Sequence, residues 1–419
     1  MASAVEEQVK LRQLGSTTVE ARDLPNPGEE RVKWSHNWIF TLSTLGYVVG
    51  FGNVLSFPYL AYKHGGGSFL IAYTVMLFLI GLPLFFLEVT IGQFLHKGPS
   101  RVFREMAPAM KGIGFAMLFI TCLTAIYYNI LIAWAIHYLF SGMTTNIPWL
   151  SMESLDHVDR YHDHDHEQDL DESCILPTLK YFNRTIGLGD GSINNSPFEG
   201  MNWQNVGCSA ASWVVVCVCC ILGIRSIGKA VRFTVPFPYL VLVIMFIWSL
   251  TLKGADKGIR HYLTPKTTSL FMPETWSYAA LQNVYTLSVG MGGLTSLASH
   301  NNFYTNCHRS SLIICITNYL TSIFAGFSTF AILGHLADSD ELKIKDMLEE
   351  YGQGPHMAFI AYLMAIKFSP SPHLWSFLFF LMLITLGLDS NFVNIDMITT
   401  AFEETFGCVR RNNRDDIQC

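Results

Sequence analysis

Apolar residues in this chain gather into long blocks instead of alternating with polar ones. Eight such blocks run over residues 37–60, 68–94, 112–141, 209–224, 234–252, 276–298, 311–336 and 374–402. A helix of about 18–20 apolar residues with almost no charge is long enough to cross roughly 30 Å of hydrocarbon. The pattern therefore predicts an all-α polytopic membrane protein with eight spans. The polar opening stretch holds no apolar core, so the expectation is an uncleaved, cytoplasmic N-terminus with insertion starting at the first span.

The segments between the blocks set a topology. Short cytoplasmic loops carry an excess of Lys and Arg. Arg31 and Lys33 precede the first block, and Lys97, Arg101, Arg104 and Lys111 follow the second. Arg225, Lys229 and Arg232 follow the fourth, and Arg410, Arg411 and Arg414 the eighth. This places both termini inside. Lys253, Lys257, Arg260 and Lys266, after the fifth block, are a contrary signal on the outer side. The long polar segment of about 142–208 carries sequons at Asn183 and Asn194, which agree with an extracellular position. Its run Tyr161-His162-Asp163-His164-Asp165-His166-Glu167 has zinc-binding residue types, but a solvated acidic loop is the simpler reading and the preferred one. A second outer segment, about 339–372, has apolar periodicity over Leu342 to Leu348 and Met357 to Ile366, which predicts short helices capping that face.

Composition narrows the class. Half of the residues are hydrophobic, mean hydropathy is +0.31, and 14% are charged where globular chains carry about 25%. A net charge of -6 without a basic stripe argues against a nucleic-acid partner. The ten cysteines show no paired metal spacing, and Cys217, Cys219 and Cys220 in an apolar run read as helix-packing residues. No nucleophile-and-base arrangement stands out, so the chain reads as a non-enzyme.

Chemistry is sought where the apolar rule fails. The first block contains Gly46-Tyr47-Val48-Val49-Gly50-Phe51-Gly52-Asn53, and the sixth Ser288-Val289-Gly290-Met291-Gly292-Gly293. Glycine weakens a helix by about 1 kcal/mol relative to Ala. Gly-interrupted spans at matching positions of two halves point to a binding site at the bilayer midplane, although close packing of small residues is the competing reading. Asp389 in the eighth block costs about 2.5–3.5 kcal/mol to insert. Its run holds no Lys or Arg, so a bound cation is one way to satisfy it. Thr317, Asn318, Thr321 and Ser322 in the seventh block, with Gln282 and Thr286 in the sixth, supply oxygen ligands that suit an alkali cation.

Several longer motifs, in order, resemble the neurotransmitter:sodium symporter family from about Arg31 to Glu404. They are Gly46 to Asn53 with Phe57-Pro58-Tyr59-Leu60 and Gly65-Gly66-Gly67, then Pro83 to Glu88 with Gly92-Gln93, Ala125 to Asn129, Thr321 to Gly326, and Thr385 to Ser390. The likeness is to the branch carrying glycine, GABA and related amino acids. It implies a LeuT-like inverted-repeat fold with helices 1 and 6 broken, about eight of the usual twelve helices being present. It also implies a plasma-membrane symporter of a small amino acid, coupled to two Na+ and one Cl-.

Carried over residue by residue, sodium site 1 is Val48, Asn53, Thr286 and Asn318, and sodium site 2 is Gly46, Val49, Leu386, Asp389 and Ser390. Chloride falls to Tyr73, Gln282, Thr286, Asn318 and Ser322. The substrate falls to Tyr47, Val48, Gly50, Gly52, Tyr128, Tyr285, Ser288 and Met291, and an inner gate to Arg31, Trp34 and Glu404. The resemblance divides the chain into a tail at 1–33, a transporter domain at 34–405 and a tail at 406–419. The family pattern is broken at Ser56, His300 and Met291, and Cys174 lacks its expected disulfide partner near Pro148-Trp149. Two readings follow: a symporter whose sequence is recorded incompletely, or a truncated, non-transporting family member that associates with itself or with relatives.

Overall fold

The computed structural model describes residues 33–150, 175–186, 202–220, 224–339 and 356–406. Arg31, the 161–167 run, Cys174, Asn194, the 342–348 periodicity and both predicted tails, apart from Lys33 and Phe406, lie outside the described residues. Among the described residues the ordered elements are helices. The first block becomes α1 (Asn37–Val48), a π-helical turn (Gly52–Ser56) and α2 (Phe57–Lys63), with α1 and the rest of the block bent apart by 48°. The second becomes α3 (Gly67–Met76), a π-turn (Leu77–Gly81) and α4 (Leu82–Leu95). Both π-turns lie just before a proline, Pro58 or Pro83, whose ring lacks an N–H and crowds the preceding turn.

The chain continues through α5 (Pro99–Met106) and the 31-residue α6 (Lys111–Ser141), then α7 (Ile175–Ile186) and α8 (Trp203–Cys220). Next come α9 (Ile224–Thr234) and α10 (Pro236–Thr251), which form one span, and two short helices, α11 (Ala255–Leu263) and α12 (Thr267–Leu270). The sixth block is split into α13 (Pro273–Thr286) and α14 (Gly293–Ala298). The final elements are α15 (Cys307–Ser339), α16 (His356–Ile366) and α17 (Pro372–Phe406). Six of the described helical segments are long and apolar enough to cross a membrane, or seven if the bent first block counts as one. The split sixth block fails that test of continuity, which is why eight predicted blocks do not yield eight unbroken helices.

The bundle end where α1 begins is termed proximal and the opposite end distal. The most extensive helix pairing is between α6 and α17. One core cluster joins Phe57, Phe69, Tyr73, Tyr262 and Phe330 toward the distal end. Another joins Val216, Ile227, Val231, Val235 and Phe392 around α8, α9 and α17. Cys219 and Cys220 pack against this second cluster as the sequence suggests, but Cys217 is exposed, so the packing reading fails for it. α16 is a short helix in the second half of the 339–372 segment, and its residues Ala358 through Ile366 are all buried.

α11 lies against α15 because two glycines remove the side chains between them. A methyl group on Gly258 would sit 1.9 Å from the Phe330 carbonyl oxygen, and one on Gly334 would sit 2.5 Å from Gly258 N. Gly258→Ala is expected to push α11 off α15 and to cost about 1–3 kcal/mol, as overpacking generally does. The control is Gly112→Ala, where nothing lies within 4 Å. Melting curves of the purified variants check the contrast: a clear drop for the first and none for the second.

His64, just after α2, is buried with its ring 4.8 Å from Tyr278 and 6.0 Å from Phe69, and its Nε2 finds no hydrogen-bond partner among the described residues. Burial, helped by the charge of Lys63, holds the imidazole below its ordinary pKa of 6.5, while Glu274 pulls weakly the other way. The unfolded chain then binds a proton that the folded one refuses, so stability is present above the unfolded pKa and is lost as pH falls below it. Melting temperature is expected to drop between pH 7.5 and 5.5, with a smaller drop in His64→Asn.

Candidate ion and substrate site

The two broken helices meet near mid-bundle, and α15 and α17 close the space around them. α1 stops because Val49 turns extended (φ -92°, ψ 101°). The chain re-enters a helix at Phe51, and the loose end is tied by one side chain. Asn53 Oδ1 accepts from Gly50 N at 3.1 Å, while its Nδ2 donates to Asn318 Oδ1 at 2.8 Å and to Ser322 Oγ at 2.8 Å. One amide thus serves the broken backbone and docks it onto α15.

The break after α13 is sharper. Ser288, Gly290 and Gly292 all have positive φ, at 52°, 84° and 80°. A left-handed conformation costs a glycine nothing sterically but strains a serine. The exposed backbone N–H groups turn to a residue that sequence reasoning passed over. Glu88 of α4, buried, accepts from Gly290 N at 3.1 Å, Gly292 N at 3.2 Å and Thr295 Oγ1 at 3.4 Å. The signal was available: Glu88 is a carboxylate inside an apolar block, as Asp389 is.

Residues assigned to the first sodium and chloride sites form a single connected network. Asn318 Nδ2 donates to Thr286 Oγ1 at 3.4 Å, and the Tyr73 hydroxyl lies 3.3 Å from Thr286 Oγ1 and 3.4 Å from Ser322 Oγ. Gln282 Nε2 donates to the Gly52 carbonyl at 2.9 Å. These contacts bring five side chains and the first break together, with hydroxyl and amide donors converging. That donor set fits an anion, and the amide and hydroxyl oxygens beside it fit an alkali cation.

The second sodium set is also brought together in part. A methyl group on Gly46 would lie 3.3 Å from Asp389 Oδ2, so acid and broken helix are in contact. Ser390 Oγ donates to the Tyr47 carbonyl at 3.2 Å, tying α17 to the end of α1. Asp389 has a protein partner the sequence did not reveal: Thr234 Oγ1 donates to its Oδ1 at 2.5 Å. Nothing in the block pattern marks Thr234, which sits among apolar residues at the α9–α10 junction. One hydroxyl still leaves a buried carboxylate with further acceptor capacity. Val48 and Val49 lie at the break, and Leu386 stands one turn before Ser390 on α17.

The substrate residues fall on two sides. Tyr128 stands over the break, its hydroxyl 3.3 Å from where a Gly50 methyl would be, with its ring 5.4 Å from Phe51. Tyr285 covers Gly52 and shares a 2.7 Å hydroxyl contact with Tyr127. Tyr47 points the other way, packing against Gly293. Ser288 occupies the second break, and the Met291 carbonyl accepts from Thr121 Oγ1 at 2.5 Å.

Both ends of the bundle are covered. At the proximal end Trp34 donates from N to the His300 carbonyl and from Nε1 to the Leu297 carbonyl, each at 3.1 Å. Glu404 accepts from Gly98 N at 2.6 Å and Ser100 Oγ at 2.8 Å, fastening α17 to the start of α5. At the distal end α16 overlies a cavity of about 20 Å³ lined by Phe51, Leu55, Trp134 and Phe359, among others.

Glu88→Gln places amide hydrogens against the N–H groups of the second break. It is expected to destabilise the protein by on the order of 2 kcal/mol, since a buried N–H left without its acceptor costs about 1–3 kcal/mol. Melting curves in detergent test it, and an unchanged midpoint would mean that other groups hold the break.

Comparison with known proteins sets this geometry in context. A solved structure of MhsT in complex with L-phenylalanine shares the fold with a TM-score of 0.73, covering 90% of this chain and 76% of that one at 22% identity. The sodium- and chloride-dependent GABA transporter 2 of Mus musculus is 38% identical over 394 residues. The sodium- and chloride-dependent neutral and basic amino acid transporter B(0+) of Mus musculus is 40% identical over 420 residues. These alignments cover 93% and 90% of this chain, which spans only 64% and 63% of the two relatives' lengths. A family model matches residues 31–419, and with it the chain belongs to the sodium:neurotransmitter symporter family, a family of membrane transporters and not of enzymes.

Proposed function

We propose that this protein is a sodium- and chloride-coupled symporter of a small amino acid or related neurotransmitter, glycine- or GABA-like, across the plasma membrane. The observation that carries the reading is the meeting of both helix breaks with the polar faces of α15 and α17. Asp389 lies against Gly46, and Asn53, Thr286, Asn318, Ser322 and Tyr73 form one network. The names of the relatives support the same ions and substrate class.

In this reading sodium binds at the two sites described, one ion among Val48, Asn53, Thr286 and Asn318 and the other among Gly46, Val49, Leu386, Asp389 and Ser390. Chloride joins Tyr73, Gln282 and Ser322, where a neutral serine leaves the sodium charge undercompensated without an anion. The substrate carboxylate approaches the backbone of Gly50 to Gly52 and the Tyr128 hydroxyl. The proximal end is cytoplasmic and Trp34 and Glu404 belong to its gate; α16 covers the outer end. Two sodium ions, one chloride and a zwitterion move one net charge, so a potential of 100 mV contributes roughly a 50-fold gradient. Asn183 is the weaker glycan acceptor than its sequon implies, because it lies within α7 and the Thr185 hydroxyl is buried and bonded to the Tyr181 carbonyl at 2.8 Å.

Uptake of labelled glycine, GABA and proline into vesicles with imposed sodium and chloride gradients tests the proposal. Accumulation that requires both ions and is lost in Asp389→Asn is the expected result. Uptake indifferent to sodium contradicts it. Sodium-dependent substrate binding without uptake marks a non-transporting family member.

A further inference from the structure

One side of α17 carries amide groups that the ion sites leave unused. Asn391 is wholly buried, and neither its Oδ1 nor its Nδ2 has a hydrogen-bond partner among the described residues. The buried Asn394 leaves its Oδ1 without one as well. Buried polar atoms are nearly always hydrogen-bonded and are costly when they are not, so this group calls for an occupant. Its direction follows from residues one turn away. Gly387 packs against Ile132 of α6 and Phe51 of the first break, while Ser390 reaches the Tyr47 carbonyl and the surroundings of Gly50. Asn391 and Asn394 follow these two by four residues each. They therefore share that face of α17, about 6 Å nearer the proximal end.

The space they border belongs to the substrate site. Across from α17, α6 sets Tyr128 beside Gly50 and, below it on the same face, the buried Ala125 and Thr121. Thr121 Oγ1 donates to the Met291 carbonyl of the second break. At that break a methyl group on Gly290 would meet no atom within 4 Å. A substrate whose carboxylate rests on the backbone of Gly50 to Gly52 thus extends its side chain toward two amides and a small alanine. Charge narrows the choice of side chain. Among the described residues no lysine or arginine is buried, so an acidic side chain meets no counter-charge. The buried carboxylates are engaged elsewhere: Glu88 with Gly290 and Gly292, Asp389 with Thr234, and Asp396 with Ser296. An amide offers a donor and an acceptor without charge, which suits a neutral hydroxyl or a second amide.

We infer that α17 gives the substrate site a polar floor, and that the preferred substrate is a small amino acid with a neutral hydroxyl or amide side chain, held by Asn391 and Asn394. This rests on the symport reading above and narrows its substrate class. A site built to hydrogen-bond its ligand rejects the isostere lacking that group strongly, because the buried amides are then left unpaired. Threonine and valine are such a pair, close in shape and different by one hydroxyl.

The test is equilibrium binding of radiolabelled L-threonine and L-valine to the purified protein in saturating sodium chloride, with glycine and GABA as references. Wild type is expected to bind threonine at least about tenfold more tightly than valine. Asn391→Leu with Asn394→Leu keeps the approximate shape and removes the polar atoms. It is expected to cut that ratio by about tenfold while the melting temperature holds or rises, since no buried group is left unpaired. An early melt with an unchanged ratio would mean that the amides have only a structural task, and overturns the inference. If the double variant does not fold, Asn394→Ala carries the comparison on the same terms. Equal binding of threonine and valine, as expected of amides that hold ordered water alone, overturns the inference and leaves the symport reading standing. So does binding of glycine or GABA alone. No sodium-dependent binding of any of the four overturns both.

Discussion

A helix interrupted inside hydrocarbon leaves backbone N–H and C=O groups with no water to meet them, and each one left unsatisfied costs several kcal/mol. The rest of this structure depends on how that constraint is met. Asn53 takes the Gly50 N–H at the first break, and Glu88 takes those of Gly290 and Gly292 at the second. Both side chains come from within the bundle, and both have a second task. Asn53 reaches α15 through Asn318 and Ser322, and Glu88 joins α4 to the start of α14 through Thr295. The breaks are therefore held by groups that also fix their distance from neighbouring helices. Polar backbone can then face the space between them at low cost.

What the breaks face follows from the same economy of partners. Asp389 is buried on α17 with the Thr234 hydroxyl on one oxygen and the open backbone at Gly46 beside the other. Charge in such a place calls for a counter-charge, and a small cation shared by carboxylate, hydroxyl and carbonyl oxygens is the simplest one. The closed ends complete the arrangement. Trp34 and Glu404 fasten α1, α14, α17 and α5 together at the proximal end, while α16 lies buried over the distal one. Among the described residues these fastenings are separate from the breaks.

Much of this was legible in the residues. The eight apolar blocks foretold the helices, and the glycines at Gly46 to Gly52 and Gly290 to Gly293 foretold where two of them fail. Asp389 stood out because nothing in its block could pair with it. Glu88 carries the same signal in an equally apolar block. Its role depends on which helix passes it, and periodicity along one segment does not tell that. Thr234 was illegible for a related reason: a threonine bonding its own turn looks the same whether or not a carboxylate lies across from it. The exposed side of Cys217 is likewise a matter of which face of α8 the bundle covers.

The central claim is that the first break and the acid of α17 together form a sodium site. Equilibrium binding of radioactive sodium to the purified protein in choline-based buffer measures this without requiring transport. Saturable binding that falls sharply in both Asp389→Asn and Asn53→Ala, with melting temperature rising with sodium only in the unaltered chain, is the result the account predicts. Binding that is non-saturable, or equal in all three proteins, would contradict it.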